Sequence, residues 1–146
     1  MLKLKMRAFA LTFTAGVFSM LFLAGCDNPG GSGVRYDSRL VLDNGYVWVG
    51  TIDGIGIAAA LKNNGTADVY VKFLWDWTDG NSADVKLHWW TARDIDKLTI
   101  IITRSFSGTY SGMFTLSENG NTLTIVNDAD GEVIIFTKTP ISAIGF

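Results

Sequence analysis

Residues Thr109 to Lys138 read TYSGMFTLSENGNTLTIVNDADGEVIIFTK, and this stretch decides the fold. Thr109 to Leu116 and Thr122 to Asn127 are short runs rich in Thr, aromatic and β-branched residues. They flank Glu118-Asn119-Gly120-Asn121, whose Asn-Gly pair accepts the positive φ angles that a tight hairpin turn needs to match the right-handed twist of its strands. A second turn at Asp130-Gly131 returns the chain along Glu132 to Lys138. Three consecutive antiparallel strands are therefore written into thirty residues.

The same grammar extends towards the N-terminus. Asx-Gly pairs also stand at Asn44-Gly45, Asp53-Gly54, Asn64-Gly65 and Asp79-Gly80. Between them, Asp68 to Trp77 alternates with period two, which places Val69, Val71, Phe73, Trp75 and Trp77 on one face, the core face. In Asp84 to Trp90 the test puts Val85, Leu87 and Trp89 inside, with Lys86, His88 and Trp90 opposite. Lys97 to Arg104 contains consecutive Ile100, Ile101 and Ile102, as in a strand covered on both sides. Tyr46 to Ile52 and Ile55 to Lys62 are further strands, although Ala58-Ala59-Ala60 is also compatible with a helix. No segment after the first 33 residues has helical apolar periodicity over eleven or more positions, so parallel βαβ units are excluded. The expectation is an all-β domain over 34–146, an antiparallel meander of about eight strands closing into a small barrel or a sandwich.

The first residues carry a different signal. Lys3, Lys5 and Arg7 precede the uncharged apolar run Ala8 to Leu23, the layout of an export signal. The run is too short, at roughly 24 Å as a helix, for a bilayer core about 30 Å thick. Leu23-Ala24-Gly25-Cys26 then resembles the lipobox of bacterial lipoproteins at all four positions. The resemblance implies that a peptidase recognises Leu23, Ala24 and Gly25, cuts before Cys26, and leaves that residue carrying fatty acyl chains such as palmitate. A signal peptide over 1–25 and a lipidated, flexible linker over 26–33 are expected, and Asn28-Pro29-Gly30-Gly31-Ser32-Gly33 has linker composition. Two or three acyl chains hold a protein on a membrane essentially permanently. Asp27 resembles the inner-membrane retention signal of enteric lipoproteins, other phyla sort differently, and both inner and outer membranes stay open. The expected location is the bacterial cell envelope.

Composition limits what the domain does. One Cys and one His rule out an intramolecular disulfide, a Cys-based zinc site and a multi-histidine metal centre within one chain. Removing residues 1–25 takes three of the twelve basic residues and no acidic ones, so the mature chain carries 9 − 14 = −5, unsuited to nucleic acid. The oxygen-rich turns Asp76 to Asn81 and Asn127 to Glu132 lack the spacing of a calcium loop and read as hairpin turns. Arg104-Ser105-Phe106-Ser107-Gly108 is no nucleophile elbow, and His88 has no evident triad partners. No cofactor, metal or catalytic residue is expected. Of the five Trp, Trp48 and Trp90, with His88 beside Trp90, are the candidate binding face.

Trp48-Val49-Gly50-Thr51, Asn64-Gly65-Thr66-Ala67, Gly108-Thr109-Tyr110, Gly120 to Ile125 and Phe136-Thr137-Lys138 look like the small lipocalin-like domains of bacterial lipoproteins. That resemblance implies a β-barrel that binds a ligand without catalysis. The expected function is a membrane-anchored envelope lipoprotein, not an enzyme, whose domain holds a small hydrophobic ligand or a partner protein. The alternatives are a carbohydrate-binding or adhesive surface and an inhibitor of another envelope protein.

Overall fold

A computed structural model describes residues 34–146. The expected signal peptide over 1–25, the lipobox Leu23 to Cys26 and the linker to Gly33 lie outside the described residues. Among the described residues no helix is long and apolar enough to cross a membrane.

The domain is all-β, with β1 (Val34–Arg35), β2 (Tyr46–Ile52), β3 (Ile55–Leu61), β4 (Ala67–Phe73), β5 (Asp76–Asp79), β6 (Val85–Ala92), β7 (Lys97–Arg104), β8 (Gly108–Leu116), β9 (Thr122–Asn127) and β10 (Val133–Pro140). Two 3-10 turns, Ser38–Leu40 and Ile141–Ile144, complete it. All ten strands belong to one sheet, in the order β1-β6-β7-β8-β9-β10-β2-β3-β4-β5, and every neighbouring pair is antiparallel. Five of the six Asx-Gly pairs place their Gly at positive φ, as the turn chemistry requires. The alanine run stays extended inside β3, because Ala58 and Ala60 face outward and Ala59 inward between two ladders.

The structure departs from the expected meander in three respects. The count is ten because the stretch expected as one strand from Asp68 to Trp77 folds back on itself as β4 and β5, and because Val34–Arg35 adds an edge strand. The chain forms two meanders, β2 to β5 and β6 to β10, fused where Phe136–Pro140 pair with Tyr46–Gly50. The single sheet excludes a two-sheet sandwich, and it is not closed into a barrel. It curls until β4 and β6 approach, but their ladder is the single bridge Thr66 to His88.

The physical reason for the incomplete seam is the connection between β5 and β6. Both run antiparallel to β4, so they lie in line along it, and residues 80–84 form an outward loop between them. Gly80 is wedged at the break: its N–H donates to Val69 O at 2.7 Å and its carbonyl accepts from Val85 N–H at 2.8 Å. A Cβ there would meet Val69 Cγ1 at 2.5 Å and Val85 O at 2.8 Å, so the close approach needs glycine. Trp89 fastens the other end, its indole donating to Lys62 O at 2.9 Å and its backbone N–H to Gly65 O at 2.9 Å.

The concave face holds the main core, including Trp48, Ile57, Val71, Leu87, Trp89, Leu98, Ile102, Phe114, Ile125 and Phe136. Leu40 closes it from the N-terminal segment and accepts the Trp48 indole N–H at 2.9 Å. A smaller cluster of Val47, Ala58 and Ile144 lies on the convex face under the C-terminal 3-10 turn. There the Phe146 ring packs on Tyr70 with centroids 4.6 Å apart.

Candidate functional site

The hairpin between β4 and β5 stands out from the rest of the surface. Phe73 pairs with Asp76, so Leu74 and Trp75 are the two residues of the turn. Leu74 is 88% and Trp75 85% exposed, and Phe73 beside them is about half exposed. Leu74 adopts φ 60°, a left-handed backbone that costs a branched residue roughly 1–2 kcal/mol. Among the described residues the other non-glycine positions at positive φ are Asp53, Asp84 and Arg104, so this is the one such position held by a large apolar side chain. Below the apex, Lys72 Nζ sits 5.9 Å from the centre of the half-buried Trp77 ring.

The turn has a braced neighbour. The β2–β3 turn at Asp53-Gly54 lies alongside it, since Gly56 pairs with Lys72. Tyr110 Oη donates to Asp53 Oδ2 at 2.5 Å, tying that turn to β8. Burial, reinforced by the Asp53 carboxylate, pushes the Tyr110 phenol up to about 12.

A second feature is the cleft where β4 and β6 splay, about 290 Å3, lined among others by Thr66, Asp68, Tyr70, Asp79, Lys86 and His88. Its acidic groups are engaged: Asp68 pairs with Lys62 at 2.8 Å, and Asp79 accepts from the Ser82 N–H at 3.0 Å and hydroxyl at 2.8 Å. These Ser82 bonds hold the Asp79 carboxyl below its usual value. Desolvation, followed by the charges of Asp68 and Asp79, raises the Tyr70 phenol.

Of the expected binding face, His88 is exposed in this cleft, Trp90 is half-buried outside it, and Trp48 is 1% exposed inside the core. The structure does not bring the three together. Trp48 turns inward because β2 presents Trp48 and Ile52 to the concave face and Val47 and Val49 to the convex one. Trp75, expected in the core, is at the apex instead, and Trp77 is half-buried on the edge strand. Trp89 is in the core at 1% exposure, as its parity requires. Cys26 and its preceding Leu23, Ala24 and Gly25 lie outside the described residues.

The concave interior is filled. The void bounded by Trp48, Ile57, Leu98, Leu123 and Phe136 measures about 10 Å3, whereas ligand pockets run to roughly 300–1,000 Å3. Among the described residues, no group of three or more His, Cys, Asp or Glu side chains is placed to hold a metal ion. The oxygen-rich turns serve themselves: Asp130 Oδ1 accepts from Glu132 N–H at 2.8 Å, as Asp79 does from Ser82. Comparisons with family models, curated proteins and solved structures gave no match to the chain.

Proposed function

We propose that this chain is an exported lipoprotein, held on a bacterial envelope membrane through acylated Cys26, whose β domain binds a partner protein through its surface without catalysis. The anchor rests on the charged, apolar and lipobox succession of residues 1–26. The observation that carries the binding half is the Leu74-Trp75 apex, two large apolar side chains almost wholly in water on a turn whose backbone is unfavourable for leucine. Exposed apolar clusters of this kind mark interaction sites, and a strained backbone persists where something other than stability selects it. A filled interior favours partner binding over an enclosed small hydrophobic ligand. One exposed indole, with Trp48 and Trp89 in the core, supplies no row of rings for stacking on sugar.

The anchor is tested by expressing the full chain with Cys26→Ser. The expected result is loss of fatty-acid labelling and release of a folded protein into the soluble fraction. Persistent labelling in the variant overturns the lipid assignment.

A further inference from the structure

Across β8, β9, β10 and β2, four neighbours in the sheet, the only charged residue is Lys138. It stands directly opposite Trp48 on the ladder and so shares the concave side. The convex face of β8 to β10 is therefore uncharged. Met113, Val126 and Val133 lie in register across these three strands, and Thr115, Thr124 and Ile135 form the next row. Met113, Val126, Val133 and Ile135 are each about half exposed although they lie side by side. A single exposed valine is ordinary, whereas a contiguous apolar patch of a few hundred Å2 marks an interaction site.

The rest of the convex face shows what this patch lacks. Over β2 and β3, Val47 and Ala58 are buried in one cluster with Ile144 of the C-terminal 3-10 turn. Among the described residues no segment does the same for β8 to β10. Charge points to a second copy of the chain as the cover. Residues 34–146 carry nine basic and thirteen acidic side chains, so two copies repel each other in most orientations. An uncharged face is where they meet at least cost, and a symmetric pair needs a patch that complements itself, as a neutral one does. At its margin Lys97 and Asp128 neutralise each other at 2.6 Å, and the exposed Asp130 and Glu132 bound one end. A face that lies on lipid would present Trp, Tyr, Lys or Arg, and none projects from these two rows.

We propose that the convex face of β8 to β10 is a self-association surface, on which two copies of this chain pair through Met113, Val126, Val133 and Ile135. The patch is smaller than the roughly 800 Å2 per partner of a standard stable interface, so the pair is weak and reversible. In sheet order this face is separated from the Leu74-Trp75 apex by β2 and β3. It depends neither on the partner nor on the anchor proposed above.

The test places a photoreactive benzophenone amino acid at Thr115, at the edge of the patch, in the full-length chain co-expressed in two versions with different epitope tags. The control carries the same group at the exposed Lys86 of β6. The expected result is an adduct of twice the chain mass that bears both tags, formed from position 115 and not from 86. Its yield should fall at least about tenfold with Val126→Glu/Ile135→Glu. Val126→Thr/Ile135→Thr, which keeps the branched side chains that a strand favours, should lower it several-fold with an unchanged thermal melt. Rising salt should increase the yield, because it screens the repulsion between two acidic copies, whereas contact with an oppositely charged protein responds in the other direction. No adduct, adducts that never bear both tags, equal yield from position 86, indifference to both double variants, or a yield that falls with salt overturns the proposal.

Discussion

Leu74 holds φ 60° where glycine would sit without strain, and its side chain gains almost no burial in return. Leu74→Gly should therefore raise the unfolding free energy, by about 0.5–1 kcal/mol once the backbone entropy of glycine is set against the relieved strain. Denaturant melts of both proteins measure this. The same variant should bind the partner proposed for this apex more weakly, so stability and binding would move in opposite directions. A turn kept only for its structure would give a gain in the first with no loss in the second. Trp48 shows the opposite assignment of an indole, with its ring in the core and its N–H satisfied by Leu40 O.

At the level of elements, the N-terminal segment is locked by charge. Asp37 is buried and accepts from Arg39 Nη2 at 2.6 Å, Arg39 Nε at 3.0 Å and Arg35 Nη2 at 3.2 Å, while Arg39 Nη2 also reaches Asp96 at 2.7 Å. The side-chain bond from Arg39 is the main reason the Asp37 carboxyl titrates below its ordinary value. A carboxyl whose folded pKa is depressed contributes stability above its unfolded pKa of about 3.9 and loses it as pH falls through the folded value. Asp37→Asn should cost about 1–3 kcal/mol at pH 7, and the gap from wild type should narrow at a pH well below the unfolded value of about 3.9. Chemical denaturation at the two pH values measures the difference; a gap that widens in acid would refute the assignment.

Most elements could be read from the sequence because turn chemistry and parity agree there. The β8–β9–β10 run matches to within a residue or two, and Val85, Leu87 and Trp89 point inward as their alternation requires. The β4–β5 turn could not be found by composition, because its apex has no Asn or Gly and its apolar alternation runs unbroken to Trp77. Strand matching held the missing signal. The Asn64-Gly65 turn sets Leu61 against Ala67, and this register places residues 74–75 opposite the Asp53-Gly54 turn where β3 begins. A ten-residue strand would have overrun its partner. The misplacement of Trp48 and Trp75 in the expected site follows from these local effects: parity cannot tell which face of β2 curls inward, nor where an edge strand turns back.

For the whole molecule, the seam between β4 and β6 is where the sheet meets itself, held by Trp89 at one end and Gly80 at the other. Gly80→Ala should force the rigid Val69 side chain and two backbone carbonyls apart, at a cost of about 1–3 kcal/mol as for other overpacked sites. A thermal melt that does not move would show that the wedge is not a constraint.

The β2–β10 ladder joins the first long strand of the domain to the last. Contacts between such distant parts of a chain form slowly, because the intervening loop must first close. During synthesis β2 is made well before β10 and waits for its partner. A domain built this way stays an incomplete sheet until Val133–Pro140 arrives to fill the gap between β9 and β2.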